Sequence, residues 1–348
     1  MQRTSGIAAL VALTTLAAGT PAFASERRPA REITAEAETA ALHDDDPGGN
    51  GDTDDAAVWV DPANRTGSLV IGTARNGGLR VSDLTGREVQ SIATPDGGRF
   101  SNVDIVSGFR LAGQKVDLAV VTDRGLDRLR VYRIGASGLT DVTSADAPLL
   151  FSRDQAEVRA QATGYGLATY GRYAVVSRRR TTRLGLFRLE ERQGRVTYRT
   201  SDTLDLPSSF RLPDGGTWSP CAEPGQGPQI EGLVVDAEAG VLYAAQEDVA
   251  LWRIPLTGGT FSSIPRIVPS SSLPRTVAFR SLPRTGPSRS LPWALDAGKP
   301  CDTTASVSLP GYPKGLLVLP HGENITTNDR ASTDFKFLDW RNLQITTF

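Results

Sequence analysis

The chain has 348 residues, with 38 Lys+Arg against 39 Asp+Glu, 39% hydrophobic residues, two Cys and one Met. This near-neutral balance excludes the basic profile of a nucleic-acid binder, and two cysteines are too few for a disulfide-stapled miniprotein. With 35 Gly and 22 Pro the chain is turn-rich, which favours many short strands over helices.

Residues 1–24 read as a secretory signal. Gln2-Arg3 give a basic start, Ile7 to Ala18 an apolar stretch, and Ala22-Phe23-Ala24 a small-x-small cleavage site before Ser25. Thr14, Thr15, Gly19 and Pro21 break the run short of the roughly 20 apolar residues that a membrane span needs. The expectation is a secreted, soluble monomer, cleaved near Ala24, with no membrane or nucleic-acid partner. An acidic arm, 25–49, follows, and 50–348 form the remaining domain. Most of the acidic run reads as a solvated surface feature. Its end differs, because Asp54 and Asp55 lead directly into the apolar strand Ala57 to Val60. Carboxylates on rigid segments suit a hard cation such as Ca²⁺, which takes roughly six to eight oxygen ligands.

A strand pair then recurs: Leu69–Thr73 with Leu79–Ser82, Leu118–Thr122 with Leu129–Ile134, Tyr173–Ser177 with Leu184–Leu189, and Val241–Ala245 with Ala250–Ile254. A weaker fifth joins Gly315–Leu319 to Phe335–Trp340. Units about 50 to 70 residues apart fit propeller blades with loop insertions better than a β-sandwich, the alternative architecture. Alternation places Leu129, Val131 and Arg133 on one strand face and Arg130, Tyr132 and Ile134 on the other.

Three repeats place arginine after the same strand: Arg75, Arg124 and the run Arg178-Arg179-Arg180. Arginine's planar fork suits phosphate, so repetition in register points to a shared anion site rather than scattered surface charge. Asp104, Glu231 and Glu247 are carboxylates at strand starts or ends; singly, each reads as an ordinary loop acid. Together with the arginines they suggest a metal-bridged polyanion site. There is no Gly-x-Ser-x-Gly elbow and no Walker loop. Zinc is disfavoured, since Cys221, Cys301, His43 and His321 offer no pair at ligand spacing. An oxidising exterior permits a Cys221–Cys301 disulfide, which the sequence leaves open.

These motifs resemble the β-propeller phytases, the secreted, calcium-dependent bacterial enzymes. The resemblance lies in Asp54–Pro62, Gly72–Leu79, Asn102–Ile105, Asp123-Arg124, Tyr165-Gly166, Glu231–Asp236, Leu242–Arg253, Gly322–Asn324 and Asp334–Trp340. It implies an all-β, six-bladed β-propeller. It also implies hydrolysis of phosphate monoesters of myo-inositol hexakisphosphate (phytate) by calcium-activated water, releasing inorganic phosphate and lower inositol phosphates. Carried over by position, Asp55, Asp104, Glu231 and Glu247 would bind Ca²⁺. Arg75, Arg124, Tyr165 and Arg179 would contact phosphate. The chain departs from the family pattern at Ala56 for Pro, Asn76 for Lys, Ser101 for Asn and His321 for Asp.

Residues 258–310 form an aberrant Ser/Pro/Arg-rich stretch. Ser-Leu-Pro recurs at Ser272, Ser281, Ser290 and Ser308, and no Glu occurs between Glu247 and Glu323. Proline in every copy argues against a strand pair, so one blade is expected to be degenerate or incomplete. A frameshifted former blade and a genuine Pro-rich insertion both remain open. Two further readings stand beside the phytase: a non-catalytic propeller binding polyanions or a protein, or an impaired phytase lacking a blade. A lactonase-like propeller hydrolase is a third.

Overall fold

A computed structural model describes residues 37–43, 53–211, 215–219, 221, 227–247, 249–262, 265–267, 332–333 and 336–337. Two short strands, β1 (Ala37–Glu38) and β2 (Leu42–His43), precede four consecutive antiparallel sheets. The first contains β3 (Ala56–Trp59), β4 (Leu69–Thr73), β5 (Leu79–Asp83) and β6 (Glu88–Ile92). The second contains β7 (Phe100–Leu111), β8 (Gln114–Asp123), β9 (Arg128–Gly135) and β10 (Gly138–Asp141). One helical turn, α1 (Gln155–Arg159), leads to the third: β11 (Gly164–Tyr170), β12 (Tyr173–Arg178), β13 (Arg183–Arg192) and β14 (Arg195–Asp205). After a hairpin of β15 (Phe210–Arg211) and β16 (Thr217–Trp218) comes the fourth sheet. It comprises β17 (Ile230–Asp236), β18 (Val241–Gln246), β19 (Ala250–Thr257), β20 (Thr260–Phe261) and β21 (Arg266–Ile267). Finally β22 (Ser332–Thr333) pairs with β2, and β23 (Lys336–Phe337) with β1.

This is a β-propeller built of meander blades, and the four strand pairs expected from the sequence are the middle strands of the four sheets. The inner strands β3, β7, β11 and β17 are neighbours in that order. Of the expected fifth strand pair only Lys336–Phe337 is described, and it pairs with β1; the rest of that pair and most of the Ser/Pro/Arg-rich stretch lie outside the described residues. Two segments set apart by composition carry strand. Strands β20 and β21 both pair with β19, so the fourth blade runs into the segment that composition had set apart. Within the acidic arm, residues 37–38 and 42–43 are paired strand rather than wholly solvated.

The alternation along each blade strand separates one neighbouring blade from the other, not core from solvent. In β9, Leu129 and Val131 join Ala174, Val176, Phe187 and Leu189 of the third blade. Tyr132 and Ile134, on the opposite face, join Ala57, Trp59, Ile71 and Val81 of the first. The two faces fall as the alternation expected, and of that stretch only Arg133 is exposed. The third blade repeats the arrangement, with Val175, Leu184 and Leu186 packed on Leu233, Leu242, Trp252 and Ile254. Polar ties stitch the same seams: Trp59 Nε1 donates to Asp117 Oδ2 at 2.8 Å, and Gln90 exchanges two hydrogen bonds with the Leu139 backbone.

Phe187 marks the seam between the second and third blades. It is 1% exposed and meets Phe151 and Tyr198 edge-on at 5.6 and 5.9 Å. Phe187→Ala should cost about 3–5 kcal/mol, from lost transfer energy plus a cavity. Denaturant titration should show a lower midpoint at unchanged slope; an unchanged midpoint would contradict this packing.

Candidate functional site

The candidate site gathers where the inner strands begin and the second strands end. Three inner strands open with a bulge, at Ser101-Asn102, Tyr165-Gly166 and Glu231-Gly232. A bulge re-aims side chains that would otherwise follow the ladder. At the second of these the backbones nearly touch: a Cβ on Gly166 would lie 2.1 Å from the Glu231 carbonyl oxygen. Only glycine lets the third blade's bulge press this closely on the fourth.

Arg75, Arg124 and Arg179 occupy equivalent hairpins in the first three blades, each two residues beyond a buried hydroxyl at or next to the end of the second strand. Arg75 adopts φ of 44°, a left-handed conformation that concentrates at functional sites. Its Nη2 lies 3.4 Å from Asp54 Oδ1, while Ser101 Oγ donates to Asp54 Oδ2 at 3.1 Å. Arg124 and Arg179 lie over the ring of Tyr165, with guanidinium carbons 5.9 and 6.0 Å from its centroid. The Nε atoms of both are buried without a hydrogen-bond partner.

The electrostatics reflect this crowding. Burial lowers the Arg124 pKa to about 10, helped by repulsion from Arg179 and Arg99 and opposed by Asp54. Arg179 is lowered mainly by burial and then by Arg180. Tyr165 is driven up by burial and by Glu231, Asp54 and Glu247, so its hydroxyl stays protonated and hydrogen-bonds Glu231. Glu231 is half-buried as a residue but its carboxyl is withdrawn from water, which raises its pKa to about 7. Repulsion from Asp54 and Asp55 adds to the rise, while Tyr165 and Arg75 oppose it.

Glu247 is 3% exposed, and both its oxygens accept from Gln229 Nε2 at 3.1 Å. Asp55 Oδ2 accepts the Val103 N–H at 3.1 Å. Thus Arg75, Arg124, Tyr165, Arg179 and Glu231 are brought into one electrostatic cluster, with Asp55 and Glu247 beside it. Asp104 has a different place. Its Oδ1 accepts from Ile105 N at 2.7 Å and its Oδ2 from Thr169 N at 2.8 Å, across to the next blade. It ties two blades together and stands apart from the cluster.

Sequence reasoning noted Asp54 beside Asp55 without giving it a role of its own, and passed over Gln229 and Arg99. Arg99 Nη1 donates to Asn76 Oδ1 at 2.8 Å, so a cationic group stands beside the position where the chain lacks the family's usual lysine. Its place in the loop before β7 gave no motif to find it by. The donor set of Asp54, Asp55, Glu231, Glu247 and Tyr165 is all oxygen, which suits a hard cation. Among the described residues no three acidic, histidine or cysteine side chains form a ready-made metal cage. A cation would therefore have to draw the carboxylates together, relieving the repulsion that Glu231 experiences.

A family profile described as Phytase matches residues 2–196. The 3-phytase of Bacillus subtilis strain 168 is 26% identical over 357 residues, covering 90% of this chain and 84% of that protein. Among solved structures, one from Lactobacillus plantarum aligns at 15% identity and TM-score 0.42, over 60% of this chain and 56% of its own. The β-propeller domain of Myceliophteria thermophila Cps50 (Swd1) aligns at 14% identity and TM-score 0.32, over 56% and 50%. The chain thus spans little more than half of the first of these structures and half of the second.

An acid whose pKa is higher folded than unfolded binds its proton more tightly in the folded state. Its stabilisation is full below the ordinary value of 4.5 and is lost as pH rises through about 7. In chelator, stability should therefore fall across that window, and Glu231→Gln should flatten the decline. Thermal melts of both proteins at fixed ionic strength check this; parallel pH profiles would refute it.

Proposed function

Since the chain belongs to the phytase family and is a phosphoric monoester hydrolase, we propose that its arginine rim binds phytate and directs calcium-dependent release of inorganic phosphate, leaving lower inositol phosphates. The observation that carries this reading is the pair of guanidiniums, Arg124 and Arg179, held over one tyrosine ring with buried, unused Nε donors beside carboxylates. Like charges this close repel, and a multiply charged anion lying across them relieves that repulsion.

In this mechanism Arg75, Arg124 and Arg179 bind and orient the phosphate ester. They also stabilise charge that develops on its oxygens in the transition state. Tyr165 stays neutral, keeps the two arginines apart and donates to Glu231, fixing the carboxylate's direction. Asp55, Glu231 and Glu247 would hold calcium, with Gln229 orienting Glu247 through both its oxygens. When bound, the ion supplies Lewis acidity and acidifies water. Export is proposed alongside: the leader-like residues 1–24 support it, as does Cys221, which is disulfide-bonded, a state favoured in oxidising compartments. Cys301 lies outside the described residues.

A second reading, a propeller that binds polyanions without turnover, is favoured by one observation, the absence of a ready-made metal cage among the described residues. Phosphate release from phytate decides between them. Turnover that requires added Ca²⁺ and stops on chelation is expected; binding without release would favour the second reading. Arg124→Ala should lower kcat/KM by about 10²-fold, the scale for one donor to a transition-state oxyanion. Glu247→Ala should abolish turnover and remove the rise in melting temperature that calcium produces. Unchanged turnover in either variant would refute its assigned role.

A further inference from the structure

Thr73, Thr122 and Ser177 stand at or one residue before the end of the second strands of three successive blades, and each is fully buried. Each hydroxyl bonds in two directions. Thr73 Oγ1 accepts from Asp55 N and donates to the Ser101 carbonyl of the second blade. Thr122 Oγ1 accepts from Asn102 N at 2.9 Å and donates to the Tyr165 carbonyl of the third blade at 2.8 Å. Ser177 Oγ accepts from Gly166 N and donates to the Ile230 carbonyl of the fourth. In every case the arginine of the rim stands two residues further along.

We propose that Thr122 is a positioning residue for the polyanion site: by clamping Asn102 of its own blade to Tyr165 of the next, its hydroxyl sets the separation of Arg124 from Tyr165 and Arg179. Three observations combine here. The bond ends on Tyr165 itself, the residue whose ring lies under both guanidiniums. It sits at a bulge, where the ladder no longer fixes the backbone, so the hydroxyl supplies the missing constraint. And the same two-way bond recurs in the flanking blades, so the rim arginines share one mechanical reference. Threonine, unlike valine of the same shape, carries both a donor and an acceptor.

The inference rests on the phosphate-ester reading of the rim, and the test separates the two. Thr122→Val removes the hydroxyl at constant shape, and Thr122→Ser keeps it. Thr143→Val, which removes a hydroxyl bound to the Val131 backbone at the outer edge, controls for stability alone. Phytate affinity is measured by calorimetry in chelator, and kcat and KM by phosphate release with Ca²⁺. The expected result is about tenfold or greater loss of phytate affinity and a raised KM in Thr122→Val, the scale of a misplaced orienting group. Thr122→Ser should restore both, and Thr143→Val should change neither at a comparable fall in melting temperature. If Thr122→Val does not fold, Ser177→Ala takes its place with the same expectations. Wild-type affinity in the valine variant, or failure of serine to restore it, overturns the proposal. Phytate binding by the wild type without phosphate release would overturn the catalytic reading while the calorimetric comparison still decides the role of Thr122.

Discussion

A blade packed between two others buries both faces of its inner strands, and that constraint governs the rest of the molecule. The second and third sheets each stand between two others, so both sets of alternating side chains there must be apolar and must fit different neighbours. Val131 and Tyr132 are adjacent in sequence yet belong to different clusters, one facing the third blade and one the first. Polar atoms in such seams need partners supplied from across the seam. This is why Trp59 meets Asp117 and why the Asp104 carboxylate is taken up by the Thr169 backbone.

At the end of the seams where the site gathers, the same packing creates the opposite problem. Charged groups from every blade converge, so like charges crowd. Arginines of three blades and carboxylates of two cannot all be satisfied by one another. The compromise visible here is partial pairing, with Arg75 against Asp54, Tyr165 against Glu231 and Gln229 against Glu247. What is left is a surface that favours ligands carrying several charges, an anion for the guanidiniums and a hard cation for the oxygens.

Much of this was legible in the sequence because a repeat multiplies weak signals. One arginine after one strand means little, but Arg75, Arg124 and Arg179 in register point to one shared region, and the fold brings them together. The middle strands of the blades emerged for the same reason, since their apolar runs are continuous. Asp104 marks a limit of that signal: a carboxylate at a strand start looks the same in sequence whether it faces a ligand or accepts the next blade's N–H, and the Thr169 bond is visible only in the fold. Arg99 and Gln229 carried no signal, as each depends on a loop's path rather than on a position in the repeat. The outer strands β20 and β21 were missed because two-residue edge strands leave too short a pattern to read.

The repeat also explains how a symmetric scaffold produces an asymmetric site. Three blades place a hydroxyl at or next to the end of their second strand, followed two residues later by arginine, whereas the fourth has Ala245 and, two residues later, Glu247. Ala245 has no hydroxyl and so makes no forward tie of the kind seen at Thr122, while Gln246 donates to the Pro207 carbonyl and accepts from Trp252 Nε1. The carboxylate that follows is instead held by Gln229, whose Oε1 also faces the Arg180 N–H at 3.4 Å. Substitution at one register of one blade thus exchanges an anion-binding group for a cation-binding one while leaving the strands in place. A hydrolase acting on phosphate esters needs both signs of charge within reach of one group. A propeller supplies them by varying a single repeated position rather than by building a new pocket.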